Sequence, residues 1–364
     1  MAILRFYFGN RSHSQYGVGM TSRLLANALL LTLPALAACG GSSSTSSNDA
    51  LQVSPSTDNA LQISAALYPI AEIVQRVGGD TVEVVNLTPP GTDAHDVELT
   101  AKQVQKLEES DAVFYFGDNF QPGTQKAITA LTDMTSVDLF DSVELLDAAI
   151  GESAVEDEHS EDDHANEKPA DDEHNHGEHD HGEHDPHVWL DPANMIAMTK
   201  TVVSTLSKLQ PESATTFANN GDSYIAELTA IGELLDAEIG IPNGKTATRC
   251  EEKNLYTAHQ GFTYLAHRAG LTLVPIGGIN PDEQVSAQYL ESLATDLKGK
   301  DVTIFYESLI TSSAAEALAD SLNVNTDVLN GVEGLSNEDI ANGITYISAQ
   351  RDNIQRIAKA LRCS

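Results

Sequence analysis

Short apolar, β-branched runs alternate with segments of helical spacing twice along this chain, once on each side of a long uninterrupted helical stretch. In the first block, Leu61 to Leu67 and Thr81 to Leu87 read as strands. Tyr68 to Gly78 lies between them at helical spacing and stops at Gly78-Gly79. Thr100 caps a helix through Leu107, Ala112 to Phe116 is the next strand, and Pro122 to Leu131 the next helix. This β-α-β-α-β order predicts a parallel sheet covered by helices. Asp191-Pro192 then opens a helical region. From Pro211 onward, Phe217, Tyr224, Leu228, Ile231, Leu235 and Ile239 recur at spacings of 7, 4, 3, 4 and 4. That is one apolar face of a helix of about 28 residues, roughly 42 Å long, ended by Pro242-Asn243-Gly244. A helix of this length can brace two lobes.

The second block repeats the alternation. Strands are expected at Asn254 to Thr257, Leu271 to Pro275, Val302 to Tyr306 and Asn325 to Leu329. Helices are expected at Phe262 to Ala269, Val285 to Leu297, Ser312 to Leu322 and, behind the cap Ser336, Asn337 to Leu361. The predicted fold is therefore α/β, with two lobes, each a mostly parallel sheet flanked by helices, joined by the long helix. The N-terminal lobe takes residues 60–190, the linking helical region 191–241 and the C-terminal lobe 242–364.

The first 38 residues read as a signal peptide, with a start at Met20 fitting its charged region better than Met1. Arg23 precedes the apolar run Leu24 to Ala38, which is too short to span a bilayer as a mature helix. The run ends in Leu36-Ala37-Ala38-Cys39-Gly40, small residues before a cysteine, as in a bacterial lipobox. Cleavage before Cys39 would leave that cysteine to carry lipid; the alternative is an ordinary secretory signal. Residues 39–59, rich in Gly, Ser, Thr and Asn, read as a flexible tether from membrane to fold. Of the 3 cysteines, Cys250 and Cys363 then remain as a pair in an oxidising compartment, where a disulfide is expected rather than two free thiols.

The net charge of −34 argues against nucleic acid as a partner, because phosphate recognition needs clustered Lys and Arg. It suits attraction of cations. Much of it is local: Gly151 to Pro186 holds 15 acidic residues against one lysine. Seven of the 12 histidines fall between His159 and His184 in the same segment. Within it, Asp171 to His184 has no apolar residue to build a core and is expected to lack order without metal. His174, His176, His179, His181 and His184 interleave with carboxylates at every second or third position, a density that binds Zn²⁺, Ni²⁺ or Cu²⁺ weakly at several alternative sites. A solvated acidic loop is the plainer alternative.

The other histidines of interest sit in structured context. His95 lies just past a strand in Pro89-Pro90-Gly91-Thr92-Asp93-Ala94-His95-Asp96. His187 lies where order resumes, in Asp185-Pro186-His187-Val188-Trp189-Leu190-Asp191-Pro192. His259 follows the strand ending at Thr257, and Asp327 lies in the last strand region. Ligands in open α/β sheets bind at the carboxyl ends of strands, so residues there on two facing lobes can converge on a cleft. At these residues the chain resembles the metal-specific, zinc and manganese, solute-binding proteins of bacterial ABC importers. Gly91-Thr92-Asp93-Ala94-His95-Asp96 matches a family motif with Ala94 in place of the usual proline. Asp185 to Pro192 matches Asp-Pro-His-x-Trp-Leu-Asp-Pro in full, and His259-Gln260-Gly261-Phe262-Thr263-Tyr264 matches the third motif. The Ile304-Phe305-Tyr306-Glu307 run is also similar to the family. Near the expected fourth ligand the sequence departs, reading Thr326-Asp327-Val328-Leu329-Asn330.

The resemblance implies a metal site in the inter-lobe cleft built from His95, His187, His259 and Asp327, with Glu307 either supporting a ligand or replacing Asp327. Trp189 and Tyr264 are expected as packing residues. Three imidazoles and one carboxylate suit tetrahedral Zn²⁺; the alternative is a manganese- or iron-binding homologue, and Mn²⁺ favours more carboxylate and higher coordination. The implied protein is not an enzyme. It is a monomer on the outer face of the cytoplasmic membrane or in the periplasm, giving Zn²⁺ to an importer's permease and ATPase. A zinc hydrolase would need an open coordination position and a general base, and no His-Glu-x-x-His run or nucleophile elbow is present in the sequence. A surface adhesin or metal buffer working without an importer is the remaining reading.

Overall fold

The structure, a computed structural model, describes residues 60–95, 97–148, 183–240, 249–281, 285–310 and 313–364. The signal, Cys39, the tether, Pro242-Asn243-Gly244 and the acidic segment through residue 182, with His174, His176, His179 and His181, lie outside these.

The N-terminal sheet is formed by β1 (Leu61–Ala65), β2 (Val82–Asn86), β3 (Ala112–Tyr115) and β4 (Thr135–Asp138). The order is β2-β1-β3-β4 and every pairing is parallel, with Leu61 opposite Val82 and Ala65 opposite Asn86. Crossovers run through α1 (Tyr68–Gly78), α2 (Ala101–Glu108) and α3 (Pro122–Thr129). Pro69 in the first turn of α1 and Pro122 at the start of α3 sit where a helix has no use for an N–H. Thr100 and Gln103 form a reciprocal capping box on α2.

The C-terminal sheet repeats this plan. Strands β5 (Asn254–Thr257), β6 (Thr272–Pro275), β7 (Thr303–Glu307) and β8 (Asn325–Leu329) pair in the order β6-β5-β7-β8, again all parallel. Helices α6 (Thr263–Ala269), α7 (Ala287–Leu297) and α8 (Ser313–Leu322) cover it. Strand β4 was not anticipated, because it is a polar edge strand with its first two residues exposed. The single closing helix expected from Asn337 is two helices, Asn337–Ala341 (α9) and Tyr346–Ala360 (α10). Gly343, at a φ of 69°, turns the chain between them, and Thr345 caps the second with its own capping box.

Between the lobes, α4 (Pro192–Leu209) is followed by a 3₁₀ turn at Pro211–Ser213 and the 25-residue α5 (Ala214–Glu238). Helix α5 buries Phe217, Tyr224, Leu228, Ile231 and Leu235 and packs on α4, α1 and α10. Gly221 in its middle lets Val203 of α4 approach so closely that a Cβ there would lie 2.4 Å from Val203 Cγ2. One continuous apolar core runs from Ile63 and Leu67 through Trp189 and Leu228 to Leu255 and Tyr346. Each of these buried large side chains contributes about 1.5–3 kcal/mol. The lobes thus share a core around the linking helices, which fixes how their strand ends face each other. Cys250 and Cys363 are joined, tying the chain beyond α10 to the approach to β5. Among the described residues, no helix is long and apolar enough to cross a membrane.

Candidate metal centre

Four side chains meet where the lobes face each other. The Nε2 atoms of His95, His187 and His259 and a carboxylate oxygen of Glu333 lie within 4.8 Å of one another. The His95–His187 and His187–His259 Nε2 separations are 3.2 and 3.3 Å. Glu333 Oε1 is 3.4 Å from the Nε2 of His187, 3.8 Å from that of His95 and 3.9 Å from that of His259. A tetrahedral ion with zinc–nitrogen bonds of about 2.0–2.1 Å needs ligand atoms about 3.3 Å apart. The His95–His187 and His187–His259 separations match that edge, and the carboxylate needs to move a few tenths of an ångström.

Each side chain of the group is placed by its local sequence. His95 follows β2 in a turn where its backbone N–H donates to Asp93 Oδ1 at 2.9 Å, and its ring meets Phe120 edge-on. The Nδ1–H and backbone N–H of His187 both donate to Asp185 Oδ1 at 2.9 Å. Asp185 is itself fixed through its carbonyl by the Tyr264 hydroxyl, 2.9 Å away on α6. His259 follows β5, and its Nδ1 bonds to Glu307 at the end of β7. Gly261 leaves room for the His259 ring, since a Cβ there would lie 2.5 Å from His259 Cε1. Carboxylate partners on Nδ1 fix the tautomer that leaves Nε2 free to bind a cation.

The electrostatics fit a cation. His187, His259 and Glu333 are buried. Burial works against a charged His187, but the carboxylates of Asp185 and Glu333 outweigh it and push its pKa up to about 10. Burial would raise Glu333, yet the facing imidazoles of His187 and His95 hold it well below the usual carboxylate range. Glu333 Oε1 has no hydrogen-bond partner within the protein although it is buried. A buried charged oxygen of this kind needs positive charge nearby, which a protonated His187 at 3.4 Å or a bound cation can supply.

The family described as zinc-uptake complex component A, periplasmic (ZnuA), matches residues 63–360. The chain belongs to that family. The high-affinity zinc uptake system protein ZnuA of Bacillus subtilis is 30% identical over 330 residues, 90% of this chain and 93% of that one. The zinc-binding lipoprotein AdcA of Streptococcus pneumoniae is 30% identical over 301 residues, covering 82% of this chain. The match covers 56% of AdcA, so this chain spans little more than half of that longer relative. The crystal structure of the Zn(II)-bound ZnuA-like domain of Streptococcus pneumoniae AdcA superposes with a TM-score of 0.64 at 27% identity, covering 83% of this chain and 99% of that one. The laminin binding protein of Streptococcus agalactiae superposes with a TM-score of 0.66, covering 83% of this chain and all of that one. At 19% identity that likeness is one of fold alone.

Against this zinc-uptake background, three of the residues expected to meet do meet: His95, His187 and His259. Asp327 does not join them. It sits inside β8, half-exposed, with Oδ1 accepting from Arg356 Nη1 at 2.6 Å. The carboxylate in the group is Glu333, four residues beyond β8, in Gly331-Val332-Glu333-Gly334. The signal for it was positional: ligands gather past the carboxyl ends of parallel strands, and Asp327 lies within one. Glu307 is beside the group, holding His259. Trp189 is fully buried, stacks on Phe116 and donates its indole N–H to Gly331 O at 2.8 Å. His184, read as part of the acidic loop, has Nδ1 3.0 Å from Asp118 Oδ2. It lines an opening shared with His95, Phe120 and Pro186.

Proposed function

We propose that this chain captures Zn²⁺ outside the cytoplasmic membrane at His95, His187, His259 and Glu333 and gives it up to an ABC-type importer. The observation that carries this reading is the donor set itself: three imidazoles and one carboxylate gathered within 4.8 Å of one another, two from each lobe. Nitrogen-rich tetrahedral sites favour Zn²⁺ over Mn²⁺. Four protein ligands also leave no coordination position for an attacking water, which supports a carrier rather than a hydrolase. The names of the B. subtilis and S. pneumoniae relatives agree with this reading.

Cys39 is the lipid-bearing residue in this reading, and residues 39–59 are the tether that lets the folded part reach the importer. The His and acid-rich segment collects loosely held ions beside the cleft. Single alanine substitutions at His95, His187 and His259 are each expected to weaken Zn²⁺ binding at least tenfold, read by competition with a chromophoric chelator. Wild-type affinity in two of the three would overturn the site. Changing Cys39→Ala is expected to move the protein from the membrane fraction to the soluble one without altering its melting curve. Unchanged fractionation would remove the lipid anchor from the proposal.

A further inference from the structure

The segment that carries Glu333 is held in an unusual way. Val332, directly before it, has a φ of 56° and is buried. A β-branched residue rarely enters the left-handed region, so such a turn persists only where its surroundings impose it. Here they do. Asn330 Oδ1 accepts the Val332 backbone N–H at 2.9 Å, closing a side-chain turn over the strained residue. Asn330 is in turn held by Asn353 of α10. The Asn330 N–H donates to Asn353 Oδ1 at 2.8 Å, and Asn353 Nδ2 donates back to Asn330 O at 2.7 Å. The Trp189 indole takes the Gly331 carbonyl, and the Tyr68 N–H points to the Glu333 carbonyl at 3.4 Å. Gly331 has no room for a side chain, because a Cβ there would lie 2.8 Å from Glu307 Oε2. A relaxed, extended Val332 would turn the next residue's side chain away from its present direction.

We propose that Asn330 is a positioning residue for ion capture: by locking Val332 in the left-handed turn, it aims Glu333 at the three imidazoles. This rests on the reading of His95, His187, His259 and Glu333 as the ion's site. The hydrogen bonds of Asn330 go to Val332 and Asn353 and not to His95, His187, His259 or Glu333. Its influence passes through the backbone of Val332 to a single carboxylate.

The test uses the full chain and Zn²⁺ alone, with affinity read by chelator competition and folding by thermal melting. Asn330→Ala, which removes the acceptor, is expected to weaken Zn²⁺ about tenfold. Asn330→Ser keeps a short acceptor oxygen that can bond two residues onward, and is expected to stay within about threefold of wild type. In a Glu333→Gln background the Asn330→Ala effect is expected to vanish, since the carboxylate it positions has gone. An Asn330→Ala loss that persists undiminished in that background overturns the proposal, as does wild-type affinity in Asn330→Ala while Glu333→Gln is weak. Should Asn330→Ala not fold, Asn330→Gln displaces the acceptor by one methylene; a wild-type affinity there also overturns it. Wild-type affinity in Glu333→Gln itself would instead sink the four-ligand site on which the proposal rests.

Discussion

Two of the three histidines of the centre have a partner that decides what the ring can do. Asp185 and Glu307 hold Nδ1 of His187 and His259, so both rings present Nε2 to the cleft. The carboxylate assignment is open to a direct comparison. Glu333→Gln is expected to lower Zn²⁺ affinity at least tenfold, whereas Asp327→Ala is expected to leave it within about twofold. The latter gives up a half-exposed pair with Arg356 that contributes at most about 1 kcal/mol. The reverse pattern in calorimetry would restore Asp327. The histidines were legible because each sits in a short, distinctive run of residues. Glu333 was not, because its place depends on the left-handed Val332, a backbone state no residue type announces. The pH response follows from His187. Its raised pKa of about 10 means that without metal the imidazolium is favoured at neutral pH, stabilised by Asp185 and Glu333. That contribution to the metal-free fold is fully present below about pH 6.5, the unfolded value, and fades as pH rises through about 10. Zn²⁺ must displace this proton, so affinity is expected to climb with pH through and above neutrality, with proton release on binding visible to an indicator dye. A flat affinity between pH 6 and 9 would contradict the assigned charge state.

Elements were read from the sequence where apolar spacing is regular. Helix α1, β5 and β8 begin and end as expected, and the other expected strands and helices differ at most by a few end residues, apart from the last helix. The misses have physical causes. Strand β4 is a polar edge, and the closing helix breaks at a glycine whose spacing still fits helical periodicity on both sides. The packing of α5 on α4 offers a test at this scale. Gly221→Ala gains about 1 kcal/mol of helix propensity. Against that stands a contact of 2.4 Å with Val203, whose branched side chain cannot swing away, and overpacking costs about 1–3 kcal/mol. The clash is expected to win, with net destabilisation of roughly 1 kcal/mol in urea denaturation. A stabilised variant would mean that the two helices separate more easily than their shared core implies.

At the scale of the whole molecule, the described residues form two lobes on one core, with the acidic, His-rich segment inserted between Asp147 and Asp185. Those ends are part of the fold: Ala148 N donates to Glu183 O at 3.1 Å, and Asp185 N to Leu146 O at 2.8 Å. A clean deletion therefore spans residues 151–182 and spares His184, which Asp118 holds. It is expected to change stability by less than about 1 kcal/mol and to reduce binding from several Zn²⁺ to one, with the tightest event intact. Loss of that event in calorimetry would move the principal site into the segment. The two-and-two division of the proposed ligands between the lobes has one more consequence. An ion bound to the folded state and not to the unfolded chain adds about 2.7 kcal/mol of stability when free Zn²⁺ stands a hundredfold above Kd. Proteases cleave the transiently opened chain, so loaded copies should outlast empty ones. Chelation should shorten the half-life under a fixed protease dose, and Zn²⁺ should restore it. The lifetime of the folded chain would then record metal supply through degradation alone, with no change in its rate of synthesis needed.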